Sequence, residues 1–380
     1  MISKPAPTLL EQLENAGVGV DVDDGDPKIV ASVLPYLKPH DVTSNQLIIQ
    51  AQIINPANKE LIEETIRSMP GASWEDIYTV LTAKFHKKLI HMISGRVLAQ
   101  VFPTNAYDKE AIIAHARKYR DAYNAEGISN DRFCIKIPTT TAGVQAAAVL
   151  YKEGIRSLGT ALFSLPQAIA AAQANMLSIS PYYNETRAHV EPELWPDVED
   201  PATQHPMSAR MIHIRDTYAK FKAEGKHVPL NKAASCITAR ECMAMIELGA
   251  DQVTILSNQL DDMISTTRLP AYVKGAEWQS RLRPQVDQPT FKWADWVAPE
   301  PTVSKTRMAQ LAKTDPLSKV MNADYVMADP NIDYLADGVL DKYNQEDEVT
   351  RLRLKDAMDL FTGGQNESEA EIKRLQKIYV

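Results

Sequence analysis

The stretch FCIKIPTTTAGVQAAAVLYKEGIRSLGTALFS, residues 133–164, decides the fold. A short apolar run leads into an amphipathic stretch that ends at Gly154, and a second apolar run follows. That order describes a strand, a crossover helix and a second strand lying parallel to the first. Parallel strands are covered on both faces, so they read as nearly unbroken apolar segments. Lys136 interrupts the first of these, in the middle of FCIKIP.

Working outward, the same alternation recurs along the chain. The strand candidates are VGVDVD (18–23), VTSNQLII (42–49), RVLAQVF (96–102), FCIKIP (133–138), SLGTALFS (157–164), MLSISPYY (176–183), HVPLNKAAS (227–235) and QVTIL (252–256). Helical patterns lie between them, at 58–69, 74–94, 109–127, 141–154, 165–175, 208–225 and 238–250, several ending in Gly. Eight such units close into a (β/α)8 TIM barrel. The rival is an open doubly wound sheet, but the chain has no glycine-rich dinucleotide turn and no GxxxxGK.

After residue 260 the strand signal stops. Residues 266–302 read as an irregular wrapping segment rich in Pro and Trp, followed by helices at roughly 304–360 and 367–378. The expected division is 1–265, barrel with an N-terminal helix, and 266–380, wrapping segment and helical C-terminal extension. EPELWPDVEDPATQHP (191–206) reads as a loop after the sixth strand.

The 380 residues suffice for one barrel plus an extension, and 44% apolar with 24% charged residues is ordinary for a globular enzyme. A net charge of -8 gives no attraction to nucleic acid or anionic lipid. No apolar run approaches the roughly 18 residues of a membrane span. The N-terminus has no basic-then-apolar secretory pattern, and Cys134, Cys236 and Cys242 form no metal-ligand spacing, so a reducing, cytoplasmic location is expected. His86 and His91 are five apart, off the helical i, i+4 pairing, and read as ordinary surface or core groups.

Side chains alternate along a strand, so polar groups opposite the apolar face point into a barrel. Asp21 and Asp23 oppose Val18, Val20 and Val22; Lys136 opposes Phe133, Ile135 and Ile137. Gln100, Thr160, Ser180 and Tyr182 share this parity, and Asn45 and Ser235 stand near strand ends. Such groups converge at the C-terminal ends of barrel strands. A buried lysine avoids the cost of burying a charge by losing its proton, and a neutral amine is a nucleophile toward carbonyls. The plain alternative is an internal ion pair with Asp21 or Asp23. Asp23 reads equally as a turn or cap residue in DDGDPK, and Asn45 and Ser235 as helix caps.

DVDDGD, TSNQLI, GRVLAQV, IKIPTTTAG, LGTALFS, SISPYYN, EDPAT and AASC follow, in order, the motifs of transaldolases. The resemblance covers roughly residues 15–260, with a weaker echo in DYLADGVLDKY. It implies a Schiff-base lysine at Lys136, a catalytic aspartate at Asp23, and substrate contacts from Asn45, Ser180 and Ser235. Gln100 stands where transaldolases have a glutamate, and Tyr182 where they have phenylalanine. Both resemble the sister fructose-6-phosphate aldolases, in which a Gln, a Thr and a Tyr hold the catalytic water, here Gln100, Thr160 and Tyr182. The family's phosphate-binding arginine is replaced by Glu185, and a second basic residue by Ile237, with Arg187 or Arg240 as candidates to compensate.

The implied activity is cleavage or transfer of a dihydroxyacetone unit from a ketose, as in the carbohydrate chemistry of the pentose phosphate pathway, and the altered phosphate positions admit a non-phosphorylated ketose. The implied partners are small ketose and aldehyde substrates, with no metal or other cofactor, and the resemblance allows a homo-oligomer. Two alternatives are a non-catalytic ligand-binding barrel of the same descent and an ordinary sugar-phosphate transaldolase with an altered phosphate site.

Overall fold

The computed structural model describes residues 6–278, 308, 310–318 and 328–379. Eight parallel strands among them form a closed barrel in sequence order: β1 (Gly19–Asp23), β2 (Val42–Thr43), β3 (Val97–Gln100), β4 (Phe133–Pro138), β5 (Ser157–Leu162), β6 (Ser178–Pro181), β7 (Leu230–Ala233) and β8 (Gln252–Leu256), with β8 pairing back onto β1. The expected (β/α)8 barrel is therefore the fold.

The described helices are α1 (Leu9–Asn15), α2 (Pro27–Val33), α3 (Gln46–Ile53), α4 (Lys59–Ser68), α5 (Trp74–Lys87), α6 (Lys109–Ala125), α7 (Thr141–Lys152), α8 (Leu165–Gln173), α9 (Pro201–Gln204), α10 (Ser208–Ala223), α11 (Ala239–Leu248), α12 (Ser257–Ser265), α13 (Val339–Glu346) and α14 (Glu348–Tyr379). Several begin on a side-chain cap that accepts from the first-turn N–H groups, as Asp26, Asn45, Asp108, Thr140 and Thr238 do. Gly249 ends α11 in the left-handed conformation that a side chain would resist.

Val20, Val22, Val97, Ala99, Phe133, Ile135, Ile137, Ile179, Val253 and Ile255 form the outward faces, buried beneath the helical ring. Fully burying each large one contributes about 1.5–3 kcal/mol. Inside, Leu98, Cys134 and Leu158 form a small apolar plug with Leu177.

Three expectations are corrected. The second strand ends at Thr43, because Asn45 caps α3 and the rest of TSNQLII is helical. The parity of β5 breaks after Thr160: Leu158 faces inward, yet Leu162 lies in the outer core. A register shift between Gly159 and Leu162, with Ala161 at φ 50°, causes the switch. Phe102 lies beyond the end of β3 and turns outward, stacking on His115 with ring centroids 4.1 Å apart.

In the extension, residues 279–302 of the wrapping segment lie outside the described residues. Between 308 and 338 the described residues carry only a short 3-10 turn, Leu311–Lys313, where a helix was expected. The last two expected helices form one continuous rod, α14, which passes through Gly364 without a break. A side chain at Gly364 would meet the α3 backbone at 3.0 Å, at Gln46 C and Leu47 N. The glycine permits a close helix crossing rather than ending a helix. Leu354, Ala357, Met358, Leu360 and Phe361 of α14 pack against Ala161, Phe163, Tyr182 and Ala234, so α14 covers the C-terminal mouth of the barrel.

Candidate active site

Lys136 lies on the inner face of β4 and is only 5% exposed. Its Nζ donates to Thr43 Oγ1 across 2.9 Å. Burial pushes the amine below its ordinary pKa, while Asp23 opposes that shift and Lys232 adds to it. Asp21 pairs with Lys232 rather than with Lys136, and the Asp23 carboxylate acts on the Lys136 amine electrostatically.

Asp21 is committed elsewhere. Lys232, on β7, bridges Asp21 at 3.0 Å and also pairs closely with Asp41. Asp21 accepts further from the Asp41 N–H at 3.0 Å, and Asp41 from the Arg96 N–H at 2.6 Å. This charged layer ties β1 to β7 and to the residues before β2 and β3. Burial raises the Asp21 carboxyl to about 6, against the pull of Lys232.

Asp23 ends β1. The capping work in DDGDPK falls to its neighbours: Asp26 Oδ1 accepts from Lys28 N–H at 2.9 Å, and Asp24 Oδ1 from Asp26 N–H at 2.8 Å. Asp23 acts electrostatically on both Lys136 and Tyr182.

The Tyr182 hydroxyl stands 3.1 Å from Thr160 Oγ1, and burial raises its pKa. Gln100 pairs with Lys136 in the β3–β4 register. Its Nε2 donates to Gln46 Oε1 at 2.8 Å, and Gln46 is held in turn by the carbonyls of Gln100 and Val101. With the amide fixed this way, Gln100 Oε1 is a buried acceptor without a hydrogen-bond partner. Thr160, Tyr182 and Gln100 thus present hydroxyl and carbonyl groups suited to holding a water.

Asn45 keeps its capping role, its Oδ1 accepting from Leu47 and Ile48 N–H, and is half-buried. Ser180 is buried on β6. Ser235 follows β7 with φ 62° and has the parity of Ala233, which packs outward. The left-handed turn brings its Oγ onto His189 Nε2 at 2.7 Å and Asn184 O at 2.9 Å. Asn184 is anchored by Glu241, a buried carboxyl raised to about 7 that also accepts from Trp195 and the Ile237 N–H. Left-handed Ala161 and Ser235 at two strand ends are the kind of local strain that collects at functional sites.

Arg187 sits on the turn after β6 and pairs with Glu191 at 2.8 Å; Arg240 pairs with Glu277 at 2.6 Å. Glu185 is 3% exposed, with Arg353 of α14 at 3.6 Å. Thr43, Gln46, Lys232 and Arg353 are the participants that sequence reading passes over. Thr43 and Lys232 carried a usable signal, since each is a polar residue inside an apolar strand.

His86 is a buried core group whose pKa falls to about 3, and His91 is exposed. Among the described residues no cluster of His, Cys, Asp and Glu could hold a metal, and no helix is long and apolar enough to cross a membrane.

Residues 20–295 match the family described as transaldolase/fructose-6-phosphate aldolase. A transaldolase from Prochlorococcus marinus (strain NATL1A) is 33% identical over 278 residues, covering 69% of this chain and 79% of the relative. One from Rhizobium leguminosarum bv. trifolii (strain WSM2304) is 31% identical over 294 residues, covering 75% and 87%. With a closed barrel, a buried lysine on its fourth strand and these relatives together, the chain belongs to the transaldolase/fructose-6-phosphate aldolase family of enzymes.

Proposed function

We propose that the protein is a Schiff-base enzyme that cleaves a ketose and either transfers or releases its dihydroxyacetone unit, the ketose carrying no phosphate at its distal end. The observation that carries the reading is Lys136 itself: buried on the inner face of β4, hydrogen-bonded to the Thr43 hydroxyl, and lowered in pKa by that burial. Burial shifts such an amine toward its unprotonated form, whose lone pair is the nucleophile toward a carbonyl.

The Lys136 nitrogen adds to the C2 carbonyl, and loss of water gives an iminium. Asp23 takes the proton of the C4 hydroxyl as the C3–C4 bond breaks, releasing an aldehyde. The bonding pair passes into the iminium, which becomes an enamine. For release, C3 takes a proton and water adds to the iminium carbon, freeing dihydroxyacetone and restoring the amine. For transfer, the enamine attacks an acceptor aldehyde. Thr160, Tyr182 and the open Gln100 Oε1 hold the water. Asn45, Ser180 and Ser235 contact the bound substrate, with Arg187 at the rim. A functioning water clamp favours release over transfer.

Borohydride reduction in the presence of dihydroxyacetone tests the reading. The expected result is a permanent adduct on Lys136, found by peptide mass, which Lys136→Met abolishes. Folded, unaltered protein that gives no adduct with any ketose tried overturns it.

A further inference from the structure

We propose that Glu185, set against Arg353 of the C-terminal helix, selects uncharged ketoses by receiving hydroxyls at the substrate's distal end. The proposal rests on the Schiff-base reading above and adds to it the residues that decide the substrate.

Glu185 comes three residues after Tyr182, on the turn that leaves β6 at the mouth. It is 3% exposed, and its Oε1 has no hydrogen-bond partner. Arg353 Nη2 lies 3.6 Å from that oxygen, too far for a hydrogen bond. Arg353 is 2% exposed, and the adjacent Leu354 belongs to the apolar cluster that includes Tyr182 and Ala234. The pair therefore lies on the inner side of α14, against the wall that carries Tyr182. A carboxylate oxygen left open in such a place is expensive unless something arrives to use it.

The surrounding charges say what can arrive. Arg353, Arg187, Asp356 and Glu191 all act on Glu185. The two guanidiniums are already matched by the carboxyls of Asp356 and Glu191, and burial raises the Glu185 carboxyl itself. A phosphate dianion would add charge with no unmatched cation among these groups, in a desolvated site. A sugar hydroxyl suits it: the O–H donates to Glu185 Oε1 while its oxygen faces the guanidinium side. Ser235, just after β7, offers a hydroxyl that is hydrogen-bonded to His189 of the same turn as Glu185.

The test is retro-aldol turnover of fructose and of fructose 6-phosphate, by the full-length protein and by Glu185→Gln. The unaltered protein should show a kcat/KM for fructose at least about tenfold above that for the phosphate. Glu185→Gln should raise KM for fructose about tenfold with a smaller change in kcat, and move the preference toward the phosphate. A wild-type ratio near one, a ratio favouring the phosphate, or an unchanged ratio in a folded Glu185→Gln protein overturns the proposal. The wild-type ratio alone decides if the variant does not fold. Dihydroxyacetone trapping separates the two readings, because that three-carbon ketone has no distal end. An adduct with the wrong substrate preference refutes only the role of Glu185, whereas no adduct refutes the covalent chemistry.

Discussion

Lys136 Nζ donates to Thr43 Oγ1 at 2.9 Å, reaching from β4 to the end of β2 inside the barrel, and its burial there pushes the amine below its ordinary pKa. The folded state therefore holds the Lys136 proton less tightly than the unfolded chain, where the amine has its ordinary pKa of 10.5. Where the unfolded state binds more protons, stability rises with pH. Below 10.5 the buried amine thus carries a penalty, and the penalty fades as pH approaches that value.

Lys136→Met removes this penalty while keeping much of the volume. The variant should be about 1–3 kcal/mol more stable than the unaltered protein at neutral pH. The gap should close as pH is raised toward about 10. Urea midpoints measured across that range check it, and a gap that widens with pH would contradict the buried, depressed amine.

Tyr182→Phe keeps the ring packed on Phe163 but removes the hydroxyl that meets Thr160. Release of free dihydroxyacetone should fall about 100-fold, the scale of a lost proton-handling group. Transfer to an added acceptor aldehyde should fall much less, so the share of transfer rises. Borohydride trapping at Lys136 should persist. Product ratios with and without acceptor settle the matter, and parallel loss of both activities would remove the water-holding role.

Much of this site is legible from alternation along strands. Lys136 and Gln100 occupy regular positions, and their inward direction follows from the apolar residues between them. Ser235 is different, because it reaches the mouth only through a left-handed backbone that no periodicity announces. The β5 bulge hides the outward turn of Leu162 for the same reason. Arg353 is separated from Glu185 by 168 residues, so only the course of α14 reveals the pair. The double glycine at 363–364 falls in the gap between the expected helices at 304–360 and 367–378, yet Gly364 serves a close helix crossing, which depends on where α3 lies.

Lys232 holds two buried carboxylates, Asp21 and Asp41, in one place. Lys232→Met would leave both without their cation and should destabilise the protein by about 3–5 kcal/mol at neutral pH. Asp21, already raised to about 6, would move higher still. A carboxyl whose folded pKa is raised binds its proton more tightly in the folded state, so it lowers stability as pH rises. The deficit of the variant should therefore be smaller near pH 5 than near pH 8, both being approximate settings for the melts. Because Lys232 also depresses Lys136, the pH profile of imine trapping should shift upward in the variant. A deficit that grows on acidification would refute the shared charge layer.

Gly364 decides whether α14 can lie over the mouth. A side chain there meets the backbone of Gln46 and Leu47 at 3.0 Å, and backbone cannot rotate away as a flexible side chain can. Gly364→Val should force α14 off α3 and cost about 1–3 kcal/mol, the scale of overpacking. Gly364→Ala sets a smaller clash against a gain of about 1 kcal/mol in helix propensity, so its effect should be near neutral. The consequence reaches the site by two routes. Gln46 begins α3 and fixes the Gln100 amide, and α14 brings Arg353 to Glu185. Gly364→Val should therefore raise KM for the ketose and speed amide hydrogen exchange in residues 348–379, while dihydroxyacetone still forms its adduct on Lys136. Unchanged exchange in that helix, with unchanged KM, would mean that the crossing does not hold the helix over the barrel.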